Sequence, residues 1–416
     1  MTERSLKSIS PDGVSGMIFA MEGMKNAVVL LNGPMGCRFY HSTTSRFLSV
    51  RPLMTLPAEK DGARTPVDYN YLNDFFFFQD RVPCTYLDGY DYVYGTRDKV
   101  RRALDFIQAN IAFDFLAIVN SPGAALIGDN LLELAREKLG ESRVVMLESP
   151  GYSTSFQEGY SEAALALLQQ TGPALWAGRK KPGDGKKRVN LLGLSVWQRY
   201  MEGDLQELER LFALCGIQVN AALCAGCSLE QLRAMPDADL NVVLYAETGL
   251  AAAEYMAECW NIPYYVCQPP PIGFSATERM FAGICAILHA DGAPLRAESE
   301  RARALAWFWL DQIHQTYGRP KGVKYYVEGL PSRAAAFTAF LTDYLGMEPA
   351  GPDEAELVFG DANLIAGLKL KNKTFCGIET DRPGMGYVDL LPKTHLGIEG
   401  ALFLIEQVLN GLMSKL

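Results

Sequence analysis

A chain of 416 residues is longer than one hydrophobic core usually serves, and at 49% apolar and 11% aromatic it can fill two or three. A net charge of −9 argues against a nucleic-acid partner, because phosphate binding wants a basic face. No apolar run reaches the roughly 20 residues of a membrane helix, and MTERSLKSISPDG at the start lacks the apolar centre of a signal peptide, so a soluble, cytoplasmic protein without a membrane partner is expected.

In chain order, the first predicted strand is AVVLLN (Ala27–Asn32), followed by FLAIVN (Phe115–Asn120) and RVVML (Arg143–Leu147). VNLLGL (Val189–Leu194), IQVNAAL (Ile217–Leu223), NVVLY (Asn241–Tyr245) and PYYVC (Pro263–Cys267) come next. VKYYV (Val323–Val327) and ELVFG (Glu356–Gly360) complete the set. Short continuous apolar strands alternating with helical patterns mean parallel sheets covered on both faces, a repeated doubly wound α/β architecture. GDLQELERLFALCG reads as a helix with Asp204 as N-cap, Glu207 closing a capping box, and Leu205, Leu208, Leu211 and Phe212 facing a core. Gly216 reads as its left-handed C-terminal cap.

The basic, Gly/Pro-containing stretch Gly178–Arg188 reads as an exposed linker, and a second break falls at Tyr317–Gly322. They divide the chain into three units at about 1–180, 188–315 and 320–416.

The nine cysteines are an odd number without a secretory signal, which argues against a disulfide framework. Most read as small buried hydrophobes, and four histidines are too few for a His-rich metal site. Chemistry in parallel α/β sheets gathers at the carboxyl ends of strands. Gly-, Pro- and Ser-rich loops stand there: NGPMGC after the first strand, NSPGAALIGDN (Asn120–Asn130) and SPGYSTSFQEGY (Ser149–Tyr160). None is a Walker A or G-x-G-x-x-G loop, so the chain is expected to bind no ATP of its own. Cys224 and Cys227, in CAGC, read as packing, a metal site or a redox pair.

Motifs in constant order point further. VVLLNGPMGCRFYHS resembles the segment of nitrogenase component 1 proteins in which a strand runs into HGPxGC. NSPGAALIGDN, GDLQELERLFALCGIQVN, CSLEQLRAMPDADLNVVL, NIPYYVCQPPPIGFSATERM and LGIEGALFLIEQVLN resemble successive later segments of the same family. The resemblance implies three Rossmann-like domains with parallel sheets. It implies pairing with a second copy or a paralogue, an iron–sulfur cluster between first domains, and an ATP-hydrolysing iron–sulfur reductase as partner. It makes Cys37 a cluster ligand, with Gly33 and Gly36 letting backbone amides approach the sulfides. Two cysteines usual in the family are absent here. Cys84 is the candidate replacement, and Cys37 and Cys84 from two identical subunits would supply four thiolates to one [4Fe–4S] cluster. Asp80, Asp88 or a paralogous partner are the alternatives, with Cys84 then a buried bystander.

Tyr245 stands where nitrogenase carries its active-site cofactor cysteine, and His395 is shifted from the cofactor histidine, so dinitrogen reduction is not expected. The resemblance places Tyr152, Tyr245, Glu247, Gln268 and Phe274 around a pocket suited to a flat, tetrapyrrole-like substrate. The alternative for each is ordinary packing. Candidate proton donors are His41, Glu158, Glu247 and His395, His41 having a packed ring against Tyr40 as its alternative. Asp129 is expected to cap the helix that follows it. Three functions are open at this point: a nitrogenase-like reductase component, a non-catalytic scaffold for metal-cluster or tetrapyrrole assembly, or a cluster-free solute-binding α/β protein in which the thiols are incidental.

Overall fold

The computed structural model describes residues 11–34, 58–59, 82–148, 154–178, 182–371, 374–382 and 389–414. Helix α1 (Gly13–Glu22) starts where the Asp12 carboxylate accepts from Ser15 N at 2.9 Å, and every residue of it is buried. Strand β1 (Ala27–Asn32), α2 (Arg97–Asn110), β2 (Phe115–Asn120), α3 (Leu131–Leu139), β3 (Val144–Glu148) and α4 (Phe156–Trp176) follow. The strands form a parallel sheet in the order β1-β2-β3, with Val28 beside Leu116 and Leu116 beside Val144. Alternation sends Val28, Leu30, Leu116 and Ile118 to a core shared with α2 and α3. It sends Val29, Leu31, Ala117 and Val119 to the opposite core, shared with α1 and α4. A strand buried on both faces must be apolar throughout, which is why these runs are legible. Gly16 and Gly159 let α1 and α4 touch: a Cβ on Gly16 would stand 2.1 Å from Phe156 O.

The middle sheet contains β4 (Lys187–Leu192), followed by α5 (Met201–Leu214), β5 (Ile217–Ala222), β6 (Leu240–Val243), α6 (Ala246–Trp260) and β7 (Tyr264–Val266). Helices α7 (Phe274–Leu288) and α8 (Ala293–Tyr317) lead to the third sheet. There β8 (Lys324–Val327), α9 (Pro331–Ala339), β9 (Glu348–Pro349), β10 (Leu357–Gly360), α10 (Ala362–Leu370) and β11 (Cys376–Glu379) precede the last helix, α11 (Gly397–Met413). The two sheets repeat one plan, β5-β4-β6-β7 and β9-β8-β10-β11, all parallel. Strand order therefore reverses between β4 and β6, and again between β8 and β10. The crevice outside the carboxyl ends at such a reversal is where open α/β sheets take ligands.

Helix α5 corrects one expectation. It begins at Met201 with Tyr200 as N-cap, one turn earlier than read, and no capping box closes at Asp204. Both carboxylates serve α11 instead. Asp204 accepts from His395 N at 2.8 Å and Leu396 N at 3.2 Å, and Glu207 accepts from Ile398 N and Glu399 N at 3.0 Å each. The residue before α11 brings no side-chain cap, so its orphan amides draw these two buried acids from the middle sheet's helix. The rest of that reading holds: Leu205, Leu208, Leu211 and Phe212 are buried, and Gly216 has φ +68°.

Among the described residues no helix is long and apolar enough to cross a membrane.

Candidate functional site

The first site is the root of the NGPMGC loop. Residues 83–87 run beside the end of β1: Leu31 N donates to Pro83 O at 2.9 Å, Thr85 N to Leu31 O at 3.0 Å, and Leu87 N to Gly33 O at 3.0 Å. Buried Asn32 ties this corner together. Its amide donates to Asn120 Oδ1 at 3.0 Å and Thr96 Oγ1 at 3.2 Å, and its carbonyl accepts from Thr85 Oγ1 at 2.9 Å. Cys84 is thereby held with Sγ 3.2 Å from Gly33 O, while Tyr86 N donates to that sulfur at 3.5 Å. Cys37, Gly36, His41, Asp80 and Tyr152 lie outside the described residues.

This corner fits an iron–sulfur ligand set in kind. It offers a soft sulfur donor beside the glycine loop, and a backbone amide already directed at the sulfur. Asp88 is engaged elsewhere, as N-cap of the short helix Gly89–Tyr94 in a capping box with Asp91. Among the described residues no group of three or more His, Cys, Asp or Glu side chains is arranged to hold a metal.

The second site is a cleft at the two strand-order reversals, which face each other. Gly193, Ser195, Trp197 and Gln198 line it from the end of β4, and Thr248 from the start of α6. Glu328, Gly329, Leu330 and Arg333 line it from beyond β8, Asp361 from the end of β10, and Asp381 from just past β11. Pro11, Phe156 and Gln157 close it from the first unit. Arg333 is 1% exposed. Its Nη1 donates to Thr380 O at 2.8 Å and pairs with Asp381, while Nε and Nη2 have no hydrogen-bond partner among the described residues. Asp361 N-caps α10, accepting from Leu364 N at 2.8 Å. Burial, with repulsion from Asp381 and Glu328, pushes its carboxyl up to about 6.

The residues expected around a pocket are placed unevenly. Tyr245 is fully buried behind the cleft, close enough to Arg333 for that cation to act on its phenol, and burial raises its pKa. Half-buried Glu247 accepts from Ser332 N and Ser332 Oγ at 2.7 Å each, so it caps α9 from the opposite sheet. Phe274 lies in the core, 5.5 Å from the Tyr344 ring and under the Arg303 guanidinium. Gln268 is exposed. Glu158 is exposed and closes a capping box with Ser155, which lowers its pKa. His395 is buried among Tyr200, Phe337 and Phe403, with Nε2 2.9 Å from Gln407 Oε1. Burial, with the Arg333 charge, pushes its pKa down to about 3, so it stays neutral. Asp129 does not cap α3, a role taken by Asn130; it accepts from Thr96 N at 2.5 Å instead. The cleft residues Arg333, Asp361 and Asp381 were not read from the sequence. The available signal was their place just past predicted strands.

The CAGC pair is packed. Cys224 and Cys227 are 0% and 1% exposed, and the Tyr160 hydroxyl donates to Cys224 O at 3.0 Å. Burial pushes both thiols up, Cys227 to about 12. Thiolates are the reactive and ligating form, so this environment suits neither role. In native protein a water-soluble thiol reagent is expected to label exposed Cys259 and to spare Cys224 and Cys227, as read by peptide mass mapping.

Comparison with known proteins fits this geometry. A solved structure titled nitrogenase Cp1 at pH 6.5 superposes with a TM-score of 0.72 over 98% of this chain and 93% of its own, at 15% identity, a likeness of fold. A light-independent protochlorophyllide reductase subunit of Synechococcus sp. (strain CC9605) is 29% identical over 304 residues, which is 70% of this chain and 53% of that protein. The corresponding protein of Leptolyngbya boryana is 33% identical over 198 residues, 45% of this chain and 38% of that protein. The chain thus spans about half or less of the length of these relatives. The profile of nitrogenase component 1 type oxidoreductases matches residues 13–352, well over half of the chain, and the chain belongs to that family.

Proposed function

We propose that the protein is the substrate-reducing component of a nitrogenase-like reductase, working with an ATP-hydrolysing iron–sulfur reductase. Cys37 and Cys84 would hold an iron–sulfur cluster, completed by the same residues of a second copy or by a paralogue. Such a cluster, when bound, supplies one-electron transfer. The observation that carries the reading is the Cys84 thiol held against Gly33 at the root of the glycine loop. It lies within the region matched by the family profile.

The lining of the cleft supports a reading of the substrate class. No cysteine lines it among the described residues, and Tyr245 and His395 are locked in the interior. That suits an organic substrate better than a resident metal cofactor, and the relatives named above point to a tetrapyrrole. Trp197 and Phe156, with ring centroids 5.0 Å apart, line it alongside the polar Gln198, Ser195 and Thr248. The test is turnover of protochlorophyllide by anaerobically purified protein, with a nitrogenase-reductase-like ATPase, ATP and dithionite. ATP-dependent loss of the substrate absorption band is the expected result. Tight binding without turnover would mark the chain as a carrier or assembly scaffold instead.

A further inference from the structure

Reducing a ring double bond consumes two electrons and two protons, and none of the described donors expected from the sequence lines the cleft. Asp361 does. It stands at the carboxyl end of β10, beside the β8/β10 reversal. One carboxylate oxygen is occupied by the Leu364 amide at 2.8 Å, which fixes the side chain.

The charged groups around Asp361 come from three directions. Glu328, at the end of β8, and Asp381, just past β11, line the same cleft as Asp361, and Arg333 on α9 is paired with Asp381. Burial and the two acids raise the cost of a third negative charge, and Arg333, the cation that lines the cleft, is paired with Asp381. Asp361 is therefore the cleft carboxyl placed to be neutral until it is called on.

We propose that Asp361 donates a proton to the substrate bound in this cleft. The proposal rests on the reductase reading above. In the step, the Asp361 O–H bond breaks and a C–H bond forms at one carbon of the reduced double bond. Two electrons come one at a time from the iron–sulfur reductase, which is oxidised. The second proton comes from solvent, which also reprotonates the Asp361 carboxylate.

The experiment compares wild type, Asp361→Asn and Asp361→Glu, each anaerobically purified, with protochlorophyllide as the probe. Asparagine is as good an N-cap as aspartate, so Asp361→Asn keeps the Leu364 bond and removes only the proton. The expected result is a roughly hundredfold slower reduction in Asp361→Asn. Its tetrapyrrole absorption shift on binding is unchanged, and its rate no longer falls as pH rises past about 6. Asp361→Glu restores part of that fall. A second readout needs no turnover. A carboxyl raised in the folded state stabilises fully below its unfolded value of 3.8 and loses that contribution as pH rises through about 6. Asp361→Asn should therefore melt higher than wild type above pH 7 and no higher at pH 4. Wild-type rate and pH profile in Asp361→Asn, or identical melting at all pH values, would overturn the proposal while leaving the reductase reading intact. An inactive wild type would remove both.

Discussion

Arg333→Met is expected to destabilise the protein by about 3–5 kcal/mol, the usual cost of leaving a buried carboxylate without its cation. Arg333 is 1% exposed and Asp381 8%, so neither charge is hydrated once its partner is gone. The Nη1 bond to Thr380 O is lost as well, and that oxygen then keeps only the Arg199 amide at 3.1 Å. Arg333→Lys should recover only part of the loss, since the shorter side chain has to bring its ammonium to the two oxygens that Nη1 alone now bonds. Removing the charge from both sides, in Arg333→Met with Asp381→Asn, should recover at least half. Urea midpoints with unchanged slopes are the measurement. A loss below about 1 kcal/mol for Arg333→Met would mean the pair is hydrated in solution.

Asp204→Ala is the second large effect, at about 3 kcal/mol, because it strands the buried His395 amide and takes one acceptor from Thr394 Oγ1 and from Leu396 N. The carboxylate is fully buried and accepts from Thr394 Oγ1, His395 N and Leu396 N. These are the residues that lead into α11, and α11 packs on α5, α7 and α8. Asp204→Asn keeps one acceptor oxygen and should restore most of the stability. Equal losses for Ala and Asn would show that charge, not the acceptor, holds the loop. Hydrogen exchange at His395 and Leu396 localises the effect. Faster exchange there, with β1–β3 unchanged, is the pattern expected of a loosened α11.

Much of the fold was legible because its strands are buried on both faces. AVVLLN, FLAIVN and ELVFG have no polar interruption to hide, and the structure has strands at each. The two-residue edge strand β9 was missed, being exposed and containing a proline. The start of α5 was misread because Asp204 and Glu207 copy a local capping signal while serving amides about 190 residues away. Local pattern carries no information about such a partner.

Of the two candidate cluster cysteines, Cys84 lies beside the end of β1, with its thiol 3.2 Å from Gly33 O, and Cys37 falls outside the described residues. Around the cleft, large aromatic and amide side chains were favoured as ligand contacts. Phe274 and Tyr245 instead fill the interior, where their area is worth most. Apart from Phe156, Gln157 and Pro11, the cleft is lined by residues that follow strands, charged Glu328, Arg333, Asp361 and Asp381 among them, in GLSVWQ, VEGLPSR, FGDAN and ETD. Reading the residues just past each predicted strand would have found them.

The central claim is that Cys37 and Cys84 hold iron between two subunits, and iron and sulfide analysis of oxygen-free protein tests it most directly. About four irons and four sulfides per pair of chains are predicted for wild type, falling to background in Cys37→Ala and in Cys84→Ala with the melting of the apoprotein fold retained. Iron-free wild type, or equal iron in all three proteins, would contradict it.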